Sequence, residues 1–108
     1  MITVIETNAY KTRVSKLLSV EDRDAVIDFI ADNPEAGDIM PGTGGVRKLR
    51  IALDGRGKSG GARVIYYYYN QDIPVFLLGL FAKNQKDNLT KSERNKLRIA
   101  IAALVSTY

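Results

Sequence analysis

Three β-like runs crowd into residues 46–82, and the connections between them are too short to carry the chain back across a sheet. Val46 to Leu53 alternates, with Arg47, Leu49, Ile51 and Leu53 on one face and Val46, Lys48, Arg50 and Ala52 on the other. Ala62 to Tyr69 follows and carries four successive tyrosines, Tyr66 to Tyr69. Val75 to Ala82 is apolar on both faces, as an interior strand would be. A glycine-rich stretch, Asp54 to Gly61, and the polar turn from Asn70 to Pro74 join the runs. A parallel pair needs a crossover of about a dozen residues or more, so these runs are expected to pair antiparallel. The rest of the chain must cover the resulting sheet.

The flanking segments supply that cover. Met1 to Glu6 reads as a short β-branched strand. Tyr10, Val14, Leu17 and Leu18 then recur at helical spacing, with Lys11, Arg13 and Lys16 off the stripe. Ser19 and Asp22 form an N-cap pattern ahead of a second stripe, Val26, Phe29 and Ile30, which Pro34 stops. Two consecutive helices, or one kinked helix, are expected there. Residues 34–45 hold two prolines and four glycines and read as a loop. Near the C-terminus, Thr90 to Glu93 matches a capping box, and Leu97, Ile101, Leu104 and Val105 form the buried stripe of a last helix. The order is βααβββα. It predicts an α+β fold around an antiparallel-rich sheet, with the helices packed on one face and residues 1–108 forming one domain.

Composition narrows the chemistry. Cysteine and histidine are both absent, which removes disulfides, thiolate chemistry, the usual transition-metal ligands and the commonest general base. No metal and no cofactor are expected, and catalysis would have to use Lys, Arg, Tyr, carboxylates or hydroxyls. No apolar run is long enough for a membrane span and the N-terminus lacks a signal pattern, so a cytoplasmic protein without a membrane partner is expected. The net charge of +4 is unevenly spread. Residues 1–40 carry four basic side chains against eight acidic ones, whereas residues 41–108 carry twelve against four. Such polarity suits a polyanionic partner, although a solvated basic face would look the same.

The strand pattern gathers part of this charge. Lys48 and Arg50 project from one face of one strand, Arg63 lies on the next, and Lys83 ends the one after. Arg56 and Lys58 hang on the glycine-rich connection. Strands lie about 4.8 Å apart, so these cations can converge on one phosphate, with tyrosines nearby to stack on unpaired bases. A strand tyrosine also fills sheets and a strand lysine also guards edges, but Arg63 interrupts an apolar strand where packing explains it less well. Gly57-Lys58-Ser59 lacks the first glycine and the strand-to-helix context of a nucleotide-phosphate loop, so no such site is expected.

The strings GVRKLR, GKSGGARVIYYYY and FLLGLFAKNQKDNLT, followed by an amphipathic helix, resemble the RelE/ParE superfamily, and within it the HigB-type RelE-like mRNA interferases. The resemblance spans the chain and is sharpest over residues 45–90. It implies the toxin of a type II toxin–antitoxin pair, an endoribonuclease that cuts mRNA in the ribosomal A site without metal. The implied partners are the ribosome, mRNA and a cognate antitoxin of helix-turn-helix type. Carried over, the family's basic residues fall on Lys48, Arg50, Arg63 and Lys83 as the catalytic set. Arg47, Arg56, Lys58 and Lys86 are the expected RNA or ribosome contacts. Several relatives use a tyrosine just after the last basic residue, and others use histidine. Residues 84–90 hold no tyrosine and the chain no histidine, which leaves the acid–base pair open, with Lys48 or Lys83 the candidate bases. Two other readings share the pattern: a ParE-like gyrase poison and a non-catalytic RNA-binding module.

Overall fold

The computed structural model describes residues 2–52, 61–82 and 89–108. Its elements are β1 (Val4–Glu6), α1 (Asn8–Leu17), α2 (Val20–Asp32), β2 (Asp38–Ile39), β3 (Val46–Ile51), β4 (Ala62–Tyr67), β5 (Val75–Ala82) and α3 (Lys91–Ser106). The expected α+β fold is present, with β2 as an addition that the sequence pattern did not suggest. The extended backbone of Leu18 and Ser19 separates α1 from α2, so the helical segment is a pair. Ser19 Oγ accepts from the Asp22 amide at 3.1 Å, and the acidic first turn of α2 complements the positive end of its dipole. At α3 the capping box is complete. Glu93 N–H donates to Thr90 Oγ1 at 3.1 Å, and Thr90 N–H donates back to Glu93 Oε1 at 2.8 Å.

The five strands lie in the order β1-β5-β4-β3-β2. β1 runs parallel to β5 and every other pair is antiparallel. β4 is therefore the middle strand, and all six of its residues are buried. Between β4 and β5 the register breaks once. Ile65 faces Gly79 but Tyr66 faces Leu77, so Leu78 is an extra residue on β5.

The helices do not share one face, as the sequence pattern had suggested. Ala62, Val64 and Tyr66 of β4 pack with Tyr10, Val14, Val26 and Ile30 of α1 and α2 and with Leu18 between the helices. Ile65 and Tyr67 point the other way, into a second cluster with Val46, Phe76, Met40 and Ile101 of α3. The physical reason lies in β4 and β5 themselves, since strands apolar on both faces need cover on both. Tyr66 and Tyr67 thus fill opposite cores, as period-two alternation requires.

The 34–45 segment is fastened from beneath. Tyr66 hydroxyl accepts from Gly37 N–H at 2.8 Å and donates to Pro34 O at 2.9 Å. A Cβ at Gly37 would lie 2.8 Å from that hydroxyl, so only glycine fits there. The fully buried Thr43 donates to Met40 O at 2.7 Å and accepts from Val46 N–H at 3.0 Å. Gly44 and Gly45 adopt φ of 77° and 114°, which turns the chain into β3.

Candidate functional site

The β3–β4 pairing sets Arg50 directly opposite Arg63, and Lys48 opposite Ile65. Because Ile65 and Val46 belong to the α3-side cluster, Lys48, Arg50 and Arg63 all project from that face. The two arginines sit side by side on neighbouring strands, and the lysine lies two residues along. They differ in exposure: Arg50 is exposed, Lys48 partly buried, and Arg63 only 6% exposed. Burial costs a guanidinium solvation, so Arg63 is held by surrounding groups, and its position is far better defined than that of a surface arginine.

β5 completes the row. Phe81 is the register partner of Arg63 and lies on the same face. The guanidinium of Arg13, reaching from α1, lies 4.8 Å from the centroid of the Phe81 ring. A largely apolar groove of about 700 Å³ opens beside this row, between β5 and α3, lined by Ile65, Gly79, Phe81, Leu89, Leu97 and Leu104 among others. α3 buries Ile101 over Val46, Tyr67 and Phe76, and the groove meets the row at Ile65 and Phe81, while Lys48, Arg50 and Arg63 do not line it.

The other expected site residues divide into two groups. Arg47 projects from the opposite face of β3, where its guanidinium donates to Glu35 O at 3.1 Å and Gly37 O at 2.8 Å and clamps the 34–37 turn. It does not join the cation row. Arg56, Lys58, Lys83 and Lys86 lie outside the described residues. The tyrosine run also contributes less than expected. Tyr66 and Tyr67 are buried, and desolvation pushes both hydroxyls above their ordinary pKa. Tyr69 is exposed and stacks on Tyr67 with centroids 6.4 Å apart, six positions along the chain from Arg63. The aromatic ring beside the arginines is Phe81. Among the described residues there is no cluster of three or more carboxylates that could hold a metal ion, and no helix is long and apolar enough to cross a membrane.

Fold and site together define a small α+β protein that presents a row of cations from one end of a sheet. The family model described as the RelE toxin of the RelE/RelB toxin–antitoxin system matches residues 6–107. The chain belongs to that family, and is thus the toxin half of a pair whose other half is an antitoxin. Among solved structures, it is similar to a mutant of the E. coli toxin RelE in the free state. The TM-score is 0.60 and the identity 16%, over 93% of this chain and 96% of that one. At that identity the likeness is one of fold.

Proposed function

We propose that this toxin is a metal-independent endoribonuclease that arrests translation by cutting mRNA in the ribosomal A site. The observation that supports the reading is the cross-strand row of Arg50 and Arg63 with Lys48 beside them, on the part of the sheet face next to an open groove. In this reading the RNA 2′-OH attacks the adjacent 3′ phosphorus, a P–O2′ bond forms, and the P–O5′ bond breaks. The products are a cyclic phosphate and a free 5′-OH. Negative charge accumulates on the non-bridging oxygens at the transition state. Arginine suits that charge because its fork binds two oxygens and stays protonated throughout. A buried Arg63 needs little reorganisation as the charge develops, while the more exposed Lys48 and Arg50 draw the strand in. Lys83 is proposed as a further catalytic cation, and Arg56, Lys58 and Lys86 as RNA or ribosome contacts.

The inventory holds no histidine to take the 2′ proton efficiently, so the isolated protein should be slow and should rely on the ribosome to align the 2′-OH with the bond it breaks. A helix-turn-helix antitoxin is the proposed restraint in a cytoplasmic setting. The test is to add purified protein to translating ribosomes and map mRNA ends. New ends with cyclic phosphates, lost in Arg63→Ala with its fold verified, are the expected result. Cleaved DNA–gyrase complexes without new mRNA ends would overturn the reading.

A further inference from the structure

We infer that the far end of the α3-covered sheet face, where Arg94 and Arg98 meet the exposed ring of Tyr69, is a second RNA contact. It holds an unpaired nucleotide of ribosomal RNA while the cation row works on the messenger. The inference rests on the RNA-cleavage reading above and gives that reading a docking surface.

It begins with the turn into β3. α3 and β4 close in on residues 42–45 one after another. A Cβ at Gly42 would lie 4.0 Å from Arg94 Cδ, one at Gly44 3.5 Å from Arg98 Cγ, and one at Gly45 3.3 Å from Tyr67 Cε1. The turn therefore sets two arginines and a tyrosine in a line. Arg94 Nη1 donates to Pro41 O at 3.2 Å, and Arg98 Nη2 donates to Asn95 Oδ1 at 3.2 Å. Each guanidinium has five N–H groups, so these bonds steady the forks without using them up. Among the described residues, neither arginine is in an ion pair, whereas Arg23 is taken up by Glu6 at 2.8 Å. Tyr67 carries the line on to Tyr69. The two rings stack with centroids 6.4 Å apart, Tyr67 buried and Tyr69 57% exposed.

A lone exposed aromatic is ordinary on a protein surface. An exposed ring propped on a buried one, with two arginines along the same line, fits an unpaired base and its flanking phosphates. A ring held in place beforehand also loses less entropy when a base stacks on it. The messenger is not the strand that reaches it. On β4, Tyr67 lies between Arg63 and Tyr69, about 13 Å from the arginine, and Ile101 of α3 packs over it. A strand seated on the cation row would have to climb over α3 to reach Tyr69. The second contact thus belongs to a separate RNA segment, and on a translating ribosome that segment is ribosomal RNA.

The test measures binding to ribosomes whose messenger is 2′-O-methylated in the A-site codon, beside binding to a short single-stranded 2′-O-methyl RNA. Arg98→Gln and Tyr69→Leu should each weaken ribosome binding about tenfold and leave the oligonucleotide unaffected. Tyr69→Phe, which keeps the ring, should bind ribosomes as the wild type does. On a cleavable messenger the same changes should raise KM for ribosomes and spare kcat. A merely structural role would lower Tm and weaken both ligands alike. The chain has no cysteine, so Ala102→Cys, exposed and about one turn from Arg98, can carry a single iron-chelate probe. Its hydroxyl radicals should cut ribosomal RNA. Unchanged ribosome binding, an equal loss on the oligonucleotide, or probe cuts confined to the messenger would each overturn the inference and spare the cleavage reading. So would a loss seen only in binding to the antitoxin. A wild-type protein that binds no ribosomes sinks both.

Discussion

Two buried tyrosines show how far one hydroxyl can differ from another. Tyr66 anchors Gly37 and Pro34, so Tyr66→Phe strands a buried N–H and should lower unfolding free energy by about 1–3 kcal/mol, read from urea midpoints. The Tyr10 hydroxyl is buried without a hydrogen-bond partner among the described residues, so Tyr10→Phe should leave stability unchanged or raise it. Burial, reinforced by the Glu6 carboxylate, pushes the Tyr10 pKa from 10.0 up to about 12. Between those values the unfolded chain releases a proton that the folded chain keeps, so this contribution is intact below pH 10 and fades as pH rises through about 12. Alkaline unfolding curves should therefore be flatter for Tyr10→Phe than for the wild type. Arg50 poses the opposite case. Like charges directly opposite on paired strands destabilise by about 0.2–1 kcal/mol, so Arg50→Thr should raise Tm slightly. The same variant should lose about ten- to a hundredfold in RNA cleavage, since a charged hydrogen bond is worth about 1.5–3 kcal/mol. A variant both less stable and fully active would contradict the role given to Arg50.

Among the elements, α3 is the least firmly attached. α1 and α2 supply four side chains to the first core cluster, Tyr10, Val14, Val26 and Ile30, whereas α3 supplies one buried residue, Ile101, to the second. With each such side chain worth about 1.5–3 kcal/mol, the difference decides which helix opens first. Thr90→Ala removes the cap and should cost about 1 kcal/mol, visible as roughly fivefold faster hydrogen exchange confined to α3 amides. Equal acceleration in α1 would mean that the helices open as one unit. The elements were also where sequence reasoning met its limits. Capping residues and period-two alternation made the helix starts and the faces of β3 readable, because both are local signals. β2 escaped because its two residues sit in a proline- and glycine-rich stretch and owe their pairing to Arg47, Tyr66 and Thr43, all distant or turn-forming.

Across the whole molecule, charge is sorted between an acidic N-terminal part and a basic remainder. A polyanion that binds the folded chain should stabilise it in proportion to occupancy. Poly(U) is expected to raise Tm at about 50 mM salt and to lose that effect by about 200 mM. A salt-independent rise would point to some other mode of binding. The site itself was partly legible. Lys48, Arg50 and Arg63 follow from alternation plus antiparallel pairing, and the same alternation already set Arg47 on the other face. Arg13 was not legible, since its place depends on how α1 lies against an edge left bare by the shortness of β1.

The strand that carries the extra residue Leu78 has a sensitivity of a different kind. Ahead of it, even-numbered β5 residues such as Phe76 face α3, and beyond it odd-numbered ones do, Phe81 among them. Removing Leu78 would only close the bulge and leave Leu80 and Phe81 on their present faces, whereas deleting Leu80 from the regular pairing beyond it would act on side chains as a frameshift acts on codons, turning Phe81 into the first core and away from the arginines. Comparable swaps of amino-acid type would alter one position at a time. In this toxin, the spacing of β5 is therefore as much a determinant of the site as the identity of any residue in it.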